Sequence, residues 1–239
     1  MKTFIPSYSR ARSVFALEIF PSATVVVPAS QEDEYRRCNP RADILAIPDA
    51  QDGNLARKRT AIALLGATEP DGAYVGVDDD VSGLWDKVAG RAVTSAEASA
   101  LVDVLGAKAK DEGAVMFGLS PGRGLPWKAE AEWSLGGGYA HLYGFRGEAG
   151  LAFDETVSGF ESTDLFFQCR ERGLVTLRWD RYAVDAVRGN LGGSNRASTQ
   201  CRDAGLALAR KWGPRVVDVT PDGLVCSLNL KAVKRLVES

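Results

Sequence analysis

Through the first eighty residues, short apolar runs alternate with stretches of helical period. Thr3–Pro6 has the pattern of a strand, and Ala11–Phe20 that of a helix. Thr24-Val25-Val26-Val27-Pro28 is a β-branched run ended by proline, the signature of a buried strand. Gln31–Arg37 suits a short helix, Ile44-Leu45-Ala46-Ile47-Pro48 a second buried strand, and Leu55–Leu65 a longer helix with Gly53-Asn54 at its start. Tyr74-Val75-Gly76-Val77 is a fourth strand that runs into Asp78-Asp79-Asp80. Continuous apolar strands separated by helices mean strands buried on both faces. The predicted class is therefore α/β, with a mostly parallel sheet.

The rest of the chain continues the pattern. Thr94-Ser95-Ala96-Glu97 is a capping-box signature ahead of the periodic stretch Ala98–Lys110. Ala114–Leu119 predicts a strand, residues 120–138 a glycine- and proline-rich loop, and Tyr139–Phe145 a further strand. Phe160–Arg172 predicts a helix closed by Gly173, then Leu174–Trp179 a strand. Asn190–Asn195 predicts a flexible loop, Ala197–Trp212 a helix and Val216–Val219 a short strand. No repeat, low-complexity tract or linker divides the 239 residues, so one domain over 1–239 is expected.

Composition narrows the class only a little. A content of 45% hydrophobic and 25% charged residues is that of a globular chain and excludes a disordered tail or a fibre. The formal net charge of −2 excludes a uniformly basic nucleic-acid binder. The charge is uneven, however. Residues 1–164 carry 16 Lys and Arg against 24 Asp and Glu, whereas residues 165–239 carry 13 against 7. The basic C-terminal part is thus a candidate surface for a polyanion. Met1–Ser7 lacks the apolar run of a signal peptide, and no stretch reaches the roughly 20 apolar residues of a membrane span. Cys38, Cys169, Cys201 and Cys226 are widely spaced, which argues against a zinc site or a disulfide framework. A cytoplasmic setting without membrane contact or an obligate protein partner is expected.

Three constellations carry candidate chemistry. The first is Asp78-Asp79-Asp80, at the carboxyl end of a buried strand, where open α/β sheets bind ligands. Three adjacent carboxylates are best tolerated beside a cation. Asp78 and Asp80 project to one side if extended geometry continues, and their hard oxygens suit Mg²⁺ or Mn²⁺ with a substrate phosphate. The second is Arg57-Lys58-Arg59, three cations in the first turns of a helix, where the macrodipole disfavours them unless an anion is bound. Arg57 and Arg59 are candidates to hold a diphosphate or a base. The third is Glu161 with Asp164, two carboxylates on one helix face next to a loop, candidates for a general base on an acceptor hydroxyl.

Taken together with Ile5-Pro6-Ser7-Tyr8-Ser9-Arg10 on the first strand and the later Gly192-Gly193 loop, these motifs resemble GT-A-type glycosyltransferases. In their order they are most similar to the TET-associated glycosyltransferases of bacteriophages, which are thought to glycosylate hydroxymethylated pyrimidines in phage DNA. The resemblance spans roughly residues 2–215. It implies a Rossmann-type, mixed but mostly parallel sheet with helices on both faces. It also implies a nucleotide-sugar and metal-binding half over 1–119 and an acceptor-binding half over 120–239.

The donor so implied is a UDP-sugar. Asp78 and Asp80 would hold Mn²⁺ or Mg²⁺ against its diphosphate, with Asp79 on the ribose or sugar side. Pro6, Ser7 and Arg10 would line the nucleoside pocket, and Arg57 and Arg59 would sit near the base or diphosphate. His141, the single histidine, is a candidate third metal ligand, and Arg196 would close over the diphosphate. Asp164 or Glu161 would be the base.

The implied acceptor is modified double-stranded DNA, most simply hydroxymethylcytosine. Reaching such a base requires it to leave the stack, a cost offset by phosphate contacts. The C-terminal arginines could supply those contacts, with Trp127, Trp133 and Tyr139 as stacking platforms. A polysaccharide, protein or small-molecule acceptor is the alternative on the same fold. A nucleotidyltransferase and a non-catalytic nucleic-acid-binding module are the other classes. The first of these two would more often carry a glycine-rich loop with a lysine after the first strand, where this chain has Ser7-Tyr8-Ser9-Arg10.

Overall fold

The computed structural model describes residues 1–124, 132–135, 139–146, 151–187, 199–220 and 225–229. Strands β1 (Lys2–Pro6), β2 (Thr24–Pro28), β3 (Asp43–Ile47) and β4 (Ala73–Val77) run parallel in the order β3-β2-β1-β4. Helices α1 (Ala16–Ile19), α2 (Glu32–Cys38) and α3 (Leu55–Ala67) connect them. Alternate side chains serve opposite faces, as the pleat requires. Ile5, Val25, Val27, Val75 and Val77 pack with Tyr35 of α2 and with Leu101 and Leu105 of α4 (Ser95–Asp111). Phe4, Val26 and Tyr74 face the other way and pack with Ala61 and Ile62 of α3. The sheet is therefore covered on both sides, as the unbroken apolar runs predicted. Each fully buried aliphatic side chain contributes about 1.5–3 kcal/mol relative to exposure.

Beyond β4 the sheet becomes mixed. Its order continues β4-β9-β7-β10-β5-β6, with β8 (Trp133–Leu135) pairing β10. Here β5 is Val81–Asp86, β6 Arg91–Ala92, β7 Met116–Ser120, β9 Leu142–Arg146 and β10 Thr176–Ala186. Strand β9 lies antiparallel between β4 and β7, whereas β7 and β10 are parallel. The close approach of β9 needs a glycine: a Cβ on Gly144 would lie 2.7 Å from the Tyr74 carbonyl oxygen and against the Phe117 ring. Helices α5 (Glu161–Glu171) and α6 (Thr199–Trp212) bury a second apolar cluster with Tyr139, Tyr143, Phe166, Phe167 and Trp212. A separate pair, β11 (Val217–Val219) with β12 (Val225–Leu228), follows α6.

Several expectations are corrected in detail. The helix expected over Ala11–Phe20 is only the single turn Ala16–Ile19. Its backbone is diverted to the acidic turn, with the Ala16 N–H donating to the Asp79 carbonyl at 3.3 Å. The strand expected over Leu174–Trp179 extends to Ala186, because β5 pairs its second half. Strands β5, β6, β8 and β12 have no counterpart in the expectations. The capping box is present: Thr94 Oγ1 accepts from the Glu97 N–H, and Glu97 Oε2 accepts from the Thr94 N–H at 2.8 Å. Among the described residues no helix is long and apolar enough to cross a membrane.

Candidate functional site

The ends of β1, β4, β5, β9 and β10 meet around one acidic turn. Strand β4 stops at Val77 because the next backbone groups are drawn elsewhere. The Asp78 N–H donates to the His141 carbonyl at 2.7 Å, the Val81 N–H to Asp78 O at 3.1 Å and the Val187 N–H to Asp80 O at 2.8 Å. Asp78 and Asp80 thus converge through a turn rather than by continuation of the pleat. His141 lies just before β9 instead of within a strand. Its φ of 63° places it in the left-handed region, which is uncommon for a side-chain-bearing residue and, where found, often functional.

The side chains of this turn divide by direction. His141 Nδ1 lies 3.2 Å from Asp78 Oδ2 and 3.6 Å from Asp80 Oδ1. One ligand atom from each of Asp78, Asp80 and His141 falls within a 4.8 Å cluster. Asp80 Oδ1 is buried, and His141 Nδ1 reaches it only at 3.6 Å, beyond normal hydrogen-bond length. The contact with Asp78, followed by the neighbouring Asp80 carboxylate, raises the His141 pKa to about 9. A metal binding there would have to displace that proton. Two hard carboxylates, one of them under-satisfied, with an imidazole beside them, fit a divalent cation such as Mn²⁺ or Mg²⁺.

Asp79 turns inward and is 5% exposed. Its Oδ2 accepts from Ser7 Oγ at 2.6 Å, and its Oδ1 pairs with Arg10 Nη1 at 2.5 Å. Burial raises its pKa to about 6, against the opposing pull of Ser7 and Arg10. Ser7 Oγ is also 2.7 Å from the Tyr35 hydroxyl, which accepts from the Arg10 N–H at 3.0 Å. Ser7 and Arg10, expected in the nucleoside pocket, therefore reach the site through Asp79. Pro6 borders a small internal cavity with Arg59, Ile62, Tyr74, Tyr143 and Phe153.

The three cations opening α3 are each met by a protein carboxylate. Arg57 Nη2 pairs with Glu155 Oε2 at 2.5 Å on the surface, and Asn54 caps the helix by accepting from the Arg57 N–H. Lys58 is 2% exposed, pairs with Asp52 at 2.9 Å and donates to the Ser7 carbonyl. Burial lowers its pKa, with Asp52 opposing. Arg59 is 6% exposed and bridges two acids: Nη2 holds Asp78 Oδ1, and Nη1 holds Glu161 Oε1 at 2.8 Å. Each cation at this helix start therefore pairs with a carboxylate of the protein itself.

The two expected base candidates are both enclosed. Glu161 is 3% exposed, held by Arg59 and by the Gly159 N–H. Asp164 is fully buried, accepting from Trp212 Nε1 at 2.7 Å, Gln168 Nε2 at 2.7 Å and Lys211 Nζ at 3.0 Å. It joins α5 to α6. Of the stacking candidates, Tyr139 is buried in the core, and Trp133 stacks on Trp179 with centroids 4.3 Å apart. Arg196, Trp127 and the Gly192-Gly193 loop lie outside the described residues.

Sequence reasoning missed Tyr35, Asp52 and the Lys87–Ser120 pair, whose Nζ to Oγ distance is 2.9 Å. Tyr35 and Ser120 carried no local signal, since their contacts are made 28 and 33 residues away.

No family model matches the chain, and no curated protein matches it. Solved structures do. One is glucosyl-3-phosphoglycerate synthase from Mycobacterium tuberculosis in complex with Mn²⁺, uridine diphosphate and phosphoglyceric acid. It matches at a TM-score of 0.56 and 12% identity over 94% of this chain and 84% of that one. The fold is GT-A-like. A second is S. aureus TarS 1–349, at a TM-score of 0.51 and 11% identity over 99% of this chain and 69% of that one. The GT-A-like fold places the acidic turn where α/β sheets present ligand sites, beyond the carboxyl ends of the parallel strands.

Proposed function

We propose that this chain is a metal-dependent glycosyltransferase using a UDP-sugar as donor. The observation that carries the proposal is the convergence of Asp78, Asp80 and His141 at the end of β4 in a GT-A-like fold. The M. tuberculosis synthase of similar fold was solved with Mn²⁺ and uridine diphosphate, which supports the same donor chemistry here. Asp78, Asp80 and His141 would hold the cation. Bound there, Mn²⁺ or Mg²⁺ supplies positive charge for the departing nucleoside diphosphate.

The chain's own residues organise the rest. Ser7, Arg10 and Tyr35 fix Asp79 and, with it, the backbone of the turn that aims Asp78 and Asp80. Preorganisation of this kind matters because a donor displaced by 1 Å loses much of its reactivity. In the transfer, the acceptor oxygen bonds to the anomeric carbon, the bond from that carbon to the diphosphate breaks with its electron pair leaving on the diphosphate, and the hydroxyl proton passes to solvent water. Asp164 and Glu161 hold elements together in this arrangement. Residues 1–119 form the donor side and 120–239 the acceptor side.

The acceptor we propose is a hydroxymethylated pyrimidine in phage DNA, most simply hydroxymethylcytosine. Two features support it: the order of sequence motifs and the basic C-terminal part. Arg202, Arg210 and Arg215 are exposed there, and Arg178, Arg181 and Lys211 are engaged in ion pairs. Transfer of labelled sugar from UDP-sugars to duplex DNA with and without hydroxymethylcytosine tests the proposal. Label confined to the modified duplex is the expected result. Label on a polysaccharide, protein or small hydroxylated acceptor with none on DNA would keep the enzyme class and overturn the acceptor.

A further inference from the structure

Arg59 and Glu161 stand behind the metal site rather than in it. Arg59 is buried, with one guanidinium nitrogen on Asp78 Oδ1 and the other on Glu161 Oε1. Asp78 Oδ2 is left facing His141, on the side of Asp80. The two oxygens of Asp78 therefore have different tasks: one is fixed by Arg59 and the other points into the cluster. The guanidinium is held in turn from both sides. Its carbon Cζ lies over the Tyr143 ring, 4.6 Å from the centroid, and Glu161 is anchored at the start of α5 by the Gly159 N–H at 2.5 Å. A planar fork carries orientation along such a chain better than a flexible ammonium does.

Charge gives the same assignment. A lone buried guanidinium against Asp78 would repel a divalent cation on the other side of that carboxylate. Glu161 neutralises it, so that Arg59 orients Asp78 without opposing the metal. Groups that hydrogen-bond a metal-ligating carboxylate set ligand geometry, and losing one typically weakens metal binding 10–100-fold.

We infer that Arg59 and Glu161 are positioning residues for the metal-binding carboxylate of Asp78, through which helix α5 is coupled to the metal site. This rests on the metal site proposed above. The sequence pointed to different roles, diphosphate binding for Arg59 and general base for Glu161.

The test is Mn²⁺ affinity, measured by electron paramagnetic resonance on the full chain without substrate, with thermal unfolding recorded alongside. E161Q removes the neutralising charge, and R59K keeps the charge but loses the fork. Each is expected to weaken Mn²⁺ binding by about tenfold or more. The double variant E161Q/R59K is expected to lose much less than the product of the two single losses, because the residues act as one unit. D86N is the control for mere destabilisation: Asp86 is a buried carboxylate paired with Arg181 at 2.8 Å, in the far part of the sheet. It should lower the melting temperature and leave Mn²⁺ affinity within twofold. Single variants that shift Mn²⁺ affinity no more than D86N, or losses that multiply in the double variant, would overturn the inference. Failure of the wild-type chain to bind Mn²⁺ would instead overturn the metal site itself.

Discussion

Ser7 Oγ donates to Asp79 Oδ2 at 2.6 Å, and this bond ties the end of β1 to the turn after β4. Both residues are almost fully buried, so neither has water as an alternative partner. Replacing Ser7 by Ala removes the donor and also strips the Tyr35 hydroxyl of its partner at 2.7 Å. Leaving a buried polar group unsatisfied costs about 1–3 kcal/mol. S7A is therefore expected to lower unfolding free energy by that amount in urea titration, and to reduce donor turnover because the acidic turn loses a restraint. Y35F leaves Asp79 paired but removes the hydroxyl that meets Ser7 Oγ and accepts from the Arg10 N–H, and is expected to cost about 1–3 kcal/mol with less effect on turnover.

Asp164 predicts a different pattern. It is fully buried and receives hydrogen bonds from Trp212, Gln168 and Lys211. W212F leaves Asp164 Oδ1 without its indole donor and is expected to cost about 1–3 kcal/mol. Chemical denaturation measures that loss. Turnover per folded molecule is expected to stay within a few-fold of wild type, since the indole reaches no atom of the acidic turn among the described contacts. A hundred-fold loss of turnover per folded molecule in D164N would instead make Asp164 the base.

The capping box of α4 gives a pH-dependent prediction. The hydrogen bond from Arg91, followed by those from Thr94, depresses the Glu97 pKa from 4.5 to about 2. A depressed carboxylate contributes stability that is complete above its unfolded pKa and is lost as pH falls through the folded one. The melting temperature of wild type should thus exceed that of E97Q at pH 7, with the gap closing between about pH 4.5 and pH 2. T94A should cost about 1 kcal/mol at neutral pH, the usual value of an N-cap. Calorimetry across this range checks both.

Sheet packing supplies a prediction independent of function. Gly144 of β9 lies against Phe117 and the Tyr74 carbonyl oxygen, and an added Cβ would meet that oxygen at 2.7 Å. Backbone in the middle of a sheet cannot yield as a flexible side chain can. G144A is expected to destabilise by about 1–3 kcal/mol through overpacking. G72A, where nothing lies within 4 Å, isolates the backbone term, since Gly72 has a φ of 56°.

What the chain revealed before folding follows from the range of its interactions. β2 and β3 were legible because their burial on both faces is written in contiguous residues such as Val25-Val26-Val27. The box at Thr94 and Glu97 was legible because it closes within three residues. Strands β5 and β8 were not. Their partners on β10 lie tens of residues away, and their mixed sequences, such as Val81–Asp86, are set by pairing rather than by pattern.

The same division runs through the site. Asp78-Asp79-Asp80 announced an acidic strand end, but the inward turn of Asp79 depends on Ser7, 72 residues distant. The positive run Arg57-Lys58-Arg59 was legible as a cluster of charge, but the carboxylates that face it were not. Those carboxylates are Glu155, Asp52, Asp78 and Glu161, brought there by the fold.

The central claim is that Asp78 and Asp80 form a metal site serving a UDP-sugar. UDP release from a panel of UDP-hexoses, followed with Mn²⁺ and after chelation by EDTA, tests it most directly in wild type, D78A and D80A. The account predicts UDP release by wild type with Mn²⁺, loss on chelation with recovery when Mn²⁺ is restored, and a fall of about 100-fold or more in each variant, the scale of removing one key electrostatic element. UDP release that is indifferent to EDTA and to both substitutions, or no release from any donor with Mn²⁺ present, would contradict it.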